Sequence, residues 1–222
     1  LGPGGAGWFA IYGDVTPLDG VLNYILIGWR RINWGHYIAA GDGATHPAVG
    51  DVDGDGKAEI IVGLGTGGAG WIEIFSDADG LFAHERWLRS SWTNYNMFGS
   101  GALRVAAGDI DGDSAAEIVL GFGSGGAGWL EVLNDQSAGF AVIRWLRVNW
   151  GGYNVNDGQT HPAIGNLDGD AAGEIVVGLG GAGAGWLQLF DGTGADLGWT
   201  RVAVPEFQGA QKATYPAVGR VR

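Results

Sequence analysis

The chain has no cysteine, so no disulfide framework places it in a compartment and no nucleophilic thiol is open to it. Basic residues are few: 12 Lys and Arg stand against 24 Asp and Glu, for a formal charge of −12. Nothing resembles a basic stripe, which argues against nucleic acid as a partner. Long apolar runs are missing too. No stretch approaches the ~18 residues that a membrane helix needs, and no signal peptide is visible, so membrane insertion is not expected. Nor does any segment keep a helical period over a dozen residues. What the chain does have is glycine, at 45 of 222 residues, and tryptophan, at 11. The glycines keep no strict three-residue period, which excludes collagen. An apolar content of 46% excludes a disordered chain and supplies a sizeable core.

The acidic residues are concentrated. Asp51-Val52-Asp53-Gly54-Asp55-Gly56-Lys57-Ala58-Glu59 carries carboxylates at loop positions 1, 3, 5 and 9, with glycines at 4 and 6 to let the backbone curl. This spacing turns alternate side chains toward one centre, where they repel one another unless a cation joins them. A hard divalent ion with six or more oxygens at variable angles suits the loop, calcium better than magnesium, with the Lys57 carbonyl as a further ligand. The loop recurs 58 residues on as Asp109, Asp111, Asp113, Ala115 and Glu117, and 57 after that as Asn166, Asp168, Asp170, Ala172 and Glu174. About three calcium sites are expected, the Asn166 loop being the weakest. An EF-hand is excluded, because position 12 falls on Val62, Leu120 or Val177 inside apolar runs. The loops hold eleven of the 24 acidic residues, so three divalent ions would halve the charge of −12. Calcium loops of modest affinity suit millimolar extracellular calcium, and a secreted or cell-surface location is expected. The opening Leu1-Gly2-Pro3, without Met, is read as a mature or excised segment.

Repetition extends through the chain. Gly-Trp pairs end at Trp8, Trp71, Trp129 and Trp186, each after a glycine-rich lead. A second Trp recurs at Trp29, Trp87, Trp145 and Trp199, and a third at Trp34, Trp92 and Trp150, with Phe207 in the fourth copy. Boundaries fall near 45, 103, 160 and 214. Around the first loop, strands are expected at 46–50, 59–63, 71–75 and about 83–89. Short β-runs between regular Gly-rich turns indicate an all-β fold, and a four-stranded unit of this length is the blade of a propeller. In Trp71-Ile72-Glu73-Ile74-Phe75 both alternating faces are largely apolar, as in a sheet covered on both sides.

Phe122-Gly123-Ser124-Gly125-Gly126-Ala127-Gly128, after the loop from Asp109 to Glu117, resembles the FG-GAP or VCBS repeat of integrin-α-type propellers. The resemblance covers essentially the whole chain in about four copies. It implies a single calcium-stabilised β-propeller domain over 1–222, in a family used mostly for adhesion and recognition and usually built of more blades. It implies Asp51, Asp53, Asp55 and Glu59, with their counterparts, as ligands. Glu in place of the usual Asp at position 9 and the density of Trp depart from the family pattern. The termini bear on closure. Arg220 and Arg222 occupy loop positions 1 and 3 in the fourth copy, which lacks its metal loop and second strand. The last blade is therefore expected to be shared by the two termini or incomplete. The ring then closes by itself, through a homo-oligomer, or within a longer chain.

The Gly-rich leads superficially match a dinucleotide fingerprint, but a Trp-led strand follows where a helix is required, so they are turns. In Trp-x-Arg-x-x-Trp-x-x-Tyr, repeated from Trp29, Trp87 and Trp145, two readings compete. Trp wedges between blades, with Arg stacked on the rings or paired to Glu73 or Glu131. Alternatively, Trp34, Tyr37, Trp92, Asn94, Tyr95, Trp150, Tyr153 and Asn154 form a sugar-stacking platform. His46 and His161 share a phase and read as structural, while His36 and His84 read as lone surface histidines. No acid–base pair or nucleophile breaks the repeat, so no catalytic site is expected. The functional expectation is a non-enzymatic module for a glycan or protein ligand. The alternatives are a self-assembling structural unit or an ancillary propeller of a polysaccharide-degrading enzyme.

Overall fold

The computed structural model describes residues 1–14, 23–77, 80–204 and 212–218. The fold grows from the apolar runs that follow each acidic loop. They form β4 (Glu59–Leu64), β8 (Glu117–Phe122) and β12 (Glu174–Leu179), each buried along all six residues. A strand buried on both faces must sit inside a covered sheet, and each does. Before them run β3 (Thr45–Gly50), β7 (Leu103–Gly108) and β11 (Thr160–Gly165). After them come β5 (Trp71–Ser76), β9 (Trp129–Leu133) and β13 (Trp186–Phe190), then β6 (Ala83–Arg89), β10 (Val142–Arg147) and β14 (Asp196–Arg201). The result is three four-stranded antiparallel meanders, each paired in chain order. A fourth, two-stranded sheet pairs β1 (Trp8–Asp14) with β2 (Tyr24–Arg31). All four expected strands of the first complete unit are present, within a residue at each end.

The last unit takes the second of its two expected forms, and one expectation needs correction. The chain builds three complete sheets, and its fourth unit is incomplete among the described residues: β1 and β2 hold the phases of third and fourth strands, as their Trp8 and Trp29 require. The segment 212–218 holds the phase of a first strand but joins no ladder. It is fixed to the third unit instead, where Thr214 donates to Trp186 O and receives Leu179 N at 2.7 Å. The correction is helical. Six-residue helices α1 (Gly35–Ala40), α2 (Thr93–Phe98) and α3 (Gly151–Asn156) follow β2, β6 and β10. They are too short to show a helical period in sequence. Phe207, Arg220 and Arg222 lie outside the described residues.

Units are joined at a glycine shared by the second strands. A Cβ at Gly63 would lie 2.5 Å from Leu103 O, and at Gly121 2.5 Å from Thr160 O, so the next unit's first strand rests directly on this backbone. The sheets thus approach more closely than any larger residue permits. Thr160 repeats the Thr214 arrangement by accepting Phe122 N at 2.8 Å and donating to Trp129 O at 3.0 Å. Three apolar clusters lie at these unit boundaries, the largest centred on Ile61, Ile72, Ile118, Leu120 and Phe122.

Candidate functional site

Two features recur at each complete unit: an acidic loop between its first and second strands, and a tryptophan cleft against the preceding unit. In the first loop the Asp51 carboxylate accepts Gly54 N at 2.7 Å and Gly56 N at 2.8 Å. Asp53 accepts Asp55 N, and Asp55 accepts Lys57 N. Gly54 and Gly56 take φ of 77° and 89°, the left-handed backbone that glycine tolerates best. The second loop repeats this with Asp109, Asp111 and Asp113, Ala115 N reaching Asp113. In the third, Asn166 accepts Gly169 N, Asp168 accepts Asp170 N and Asp170 accepts Ala172 N.

Position 9 decides what these loops can hold. Glu59 accepts Val52 N and Glu117 accepts Ile110 N through one oxygen each, and the other oxygen of each is buried with no partner among the described residues. Burial pushes both carboxyls up to about 7, against the pull of those amide bonds. A buried carboxylate oxygen without a donor is chemically suited to take a cation. The ligating oxygens of Asp51, Asp53 and Glu59 lie within 4.8 Å of one another, as do those of Asp109, Asp111 and Glu117, and of Asp168, Asp170 and Glu174. Two acids overlooked in the sequence join them: Asp77 with Asp55 and Glu59, and Asp135 with Asp113 and Glu117. Each stands six residues after its Gly-Trp tryptophan, a phase visible in the sequence. The third unit has Gly192 there. Its Asp191, one residue early, closes its own turn through Thr193 Oγ1 and Ala195 N. The Lys57 ammonium sits 4.0 Å from Asp55 and 3.9 Å from Asp77, a positive charge already drawn to the first cluster.

The tryptophans form the second feature. Each Gly-Trp residue faces the Arg of the following strand across the ladder: Trp8 and Arg31, Trp71 and Arg89, Trp129 and Arg147, Trp186 and Arg201. In each pair the guanidinium lies 5.0–5.4 Å from the ring centroid. Its Nε donates to the carbonyl of an alanine in the preceding turn, Ala69 at 2.9 Å for Arg89 and Ala127 at 3.0 Å for Arg147. The expected Arg–aromatic stacking is therefore present, on the first Trp of each unit. Glu73 and Glu131 take other partners. Glu73 accepts Asn33 N and Nδ2 and contacts His84 Nδ1 at 2.8 Å, so His84 is not a lone surface residue. Glu131 accepts Ser91 N, and Gln188 accepts Asn149 N at 2.9 Å in the same place. Each bond ties a central strand to the turn of the unit before it.

Those turns close three clefts. Asn33, Trp34, Trp71 and Trp87 line the first, about 360 Å³. Ser91, Trp92, Trp129 and Trp145 line the second, about 540 Å³, and Asn149, Trp150, Trp186 and Trp199 the third, about 380 Å³. In every one, the second Trp of the unit stands nearly perpendicular to the other two. Trp145, for example, meets Trp92 at 88° and Trp129 at 87°, with centroids 6.2 and 6.1 Å apart. The same three-ring box stands around Trp87 and Trp199.

Of the residues expected on a sugar platform, Trp34, Trp92 and Trp150 line these clefts, and five others do not. Tyr37, Tyr95 and Tyr153 are buried, their hydroxyls bonded to backbone. Asn154 is buried with Nδ2 on Val148 O, as Asn96 is on Ser90 O. Asn94 is exposed on α2, away from the cleft lining. The strand tryptophans read as structural supply the other two walls.

No protein family matches the sequence, and no curated protein matches it. Solved structures do show similarity. Bacillus licheniformis rhamnogalacturonan lyase PL11 is 18% identical with a TM-score of 0.48, over 73% of this chain and 35% of that one. A second rhamnogalacturonan lyase, YesW, is 17% identical with a TM-score of 0.47, over 74% and 35%. The V. cholerae biofilm matrix protein Bap1 is 18% identical with a TM-score of 0.33, over 90% and 34%. The chain spans about a third of the length of each.

Proposed function

We propose that this chain is a calcium-stabilised, non-enzymatic binding module of the β-propeller type on an exported protein, and that its ligand is a glycan held in the tryptophan clefts. The observation that carries the reading is the threefold recurrence of one cleft, one ring nearly perpendicular to two others with a polar residue in the lining. Indole faces suit the C–H faces of a pyranose, while Asn33, Ser91 and Asn149 offer hydrogen bonds to its hydroxyls. Repeated clefts on one chain gain avidity on a repeating polymer. Calcium in the three acidic loops would neutralise Asp51, Asp53, Asp55, Glu59 and their counterparts and fix each loop between first and second strands, with Asp77 and Asp135 as added oxygens.

A glycan array tests this with purified, calcium-saturated protein. Binding is expected, and Trp145→Ala should weaken it about tenfold at the middle cleft. An array silent for the wild-type chain would overturn the glycan reading. A parallel screen on acidic polysaccharides is expected to give no cleavage; calcium-dependent depolymerisation would make the chain catalytic.

A second reading draws on β2, where Tyr24, Ile25, Leu26 and Ile27 are 47–61% exposed. That apolar edge suits association with another copy or with a further part of a longer chain. Sedimentation showing only monomer at high concentration would count against self-association.

A further inference from the structure

The first strands of the three complete units and the segment 212–218 meet around one cavity of about 250 Å³, to which they contribute His46, Arg104, His161 and Tyr215. Arg104 is the permanent charge among them. Its Nη2 donates to Gln159 Oε1 at 3.1 Å, while Nε and Nη1 are buried without a partner among the described residues. His161 is 3% exposed and stacks on Tyr215 with centroids 4.2 Å apart. Its Nδ1 lies 2.7 Å from Thr214 O, and a carbonyl can only accept, so Nδ1 carries the proton. Nε2 is left bare, buried and unpartnered.

The acids nearest the cavity are already committed. Asp42 accepts Tyr37 OH, Ala44 N and Thr66 N, and Asp157 accepts Gln159 N and Ala182 N. Among the described residues no carboxylate pairs with Arg104. Arg104 is half-buried, but two of its donor groups are shielded from water with no counter-charge, which is destabilising unless something supplies the missing acceptors. Burial and the adjacent guanidinium push both histidines down to about 4, so neither is charged at neutral pH and neither competes with Arg104 for an anion.

We propose that this cavity binds a small oxyanion on Arg104. Its oxygens would accept from Nε and Nη1. Nε2 of His161 would accept from a hydroxyl on the anion, as hydrogen phosphate offers, or take up a proton and donate. The site is separate from the acidic loops and from the tryptophan clefts, and it exists once where they repeat, because the other units place His or Tyr in the arginine's phase.

The test is melting of calcium-saturated protein in increasing sodium sulfate against sodium chloride of equal ionic strength, for wild type, Arg104→Met and Arg104→Lys. Sulfate stabilises most proteins by exclusion, roughly linearly, so the informative quantity is the difference between variants. A saturating, sulfate-specific rise of several degrees is expected for wild type. It should be reduced in Arg104→Lys and absent in Arg104→Met, and Arg104→Met should melt no lower than wild type without sulfate. Phosphate and acetate in place of sulfate report whether the hydroxyl or the charge dominates. A linear, non-saturating response in wild type would overturn the proposal even if Arg104→Met did not fold. So would an identical response in Arg104→Met, or its melting far below wild type in chloride, which would mean the protein itself already satisfies the guanidinium.

Discussion

The side chains that matter most are those whose polar atoms have one partner too few. Glu59 and Glu117 hold a proton up to about 7 when folded, against an ordinary 4.5. The folded state therefore binds more protons than the unfolded chain between these values. Their contribution in chelator strengthens as pH falls from 7 toward 4.5 and is lost as pH rises through 7. A bound cation holds both ionised and reverses the sign. Asp135, Asp191 and Asp196, pulled below their ordinary values by local hydrogen bonds, titrate the opposite way. The comparison is therefore wild type against the Glu59→Gln/Glu117→Gln double variant, melted from pH 5 to 8 with EDTA and with calcium. The wild-type excess slope should be negative in EDTA and positive in calcium; equal slopes would contradict the cation. Tyr95 is the opposite kind of residue, with every polar atom satisfied: its hydroxyl donates to Ala102 O at 2.7 Å and accepts Gly123 N at 2.9 Å. Tyr95→Phe should destabilise by about 1–3 kcal/mol in urea unfolding and leave ligand binding unchanged. The recurrence of Tyr at this position is visible in the sequence. Its orientation is not, because burial or exposure of an aromatic after a strand depends on a helical turn too short to leave a pattern.

At the level of strands and loops, the sequence was most transparent where one residue type had one physical use. The acidic loops, the Glu-led buried strands and the Gly-Trp strand starts all fall where their spacing put them. The clefts were half legible. Trp34, Trp92 and Trp150 could be suspected from chemistry, but Trp71, Trp129 and Trp186 reach the same clefts from the next unit, and one unit's pattern carries no record of what packs against it. Asp77 and Asp135 were missed for a related reason: they lie beyond the next two strands, outside any local loop motif. The glycines at the unit boundaries, Gly63 and Gly121, lie within apolar strands whose sequence does not show what rests on them, and in the structure they are contact points. Gly121→Ala should destabilise by ~1–3 kcal/mol, since its Cβ would meet Thr160 O and Pro162 Cδ at 2.5 Å. Denaturant unfolding measures this, and a neutral substitution would mean that the β8–β11 contact is looser than described.

Over the whole molecule, the same join recurs between successive units: a glycine against a strand, a turn bonded to a buried Glu or Gln, and a tryptophan box. The β1–β2 sheet shows what happens where the join is missing. Trp8 and Trp29 are 39% and 46% exposed, because no described residue supplies the third wall that Trp34, Trp92 and Trp150 give to the later units. Among the described residues no helix is long and apolar enough to cross a membrane. On the proposed reading the acidic loops hold calcium, since four carboxylates share each of the first two with one lysine at most. Calorimetric titration of calcium into chelator-stripped protein tests this directly. Two tighter sites and one weaker site at the Asn166 loop are expected, with a melting temperature several degrees higher once they fill. No binding heat and the same melting temperature in EDTA and in millimolar calcium would contradict it.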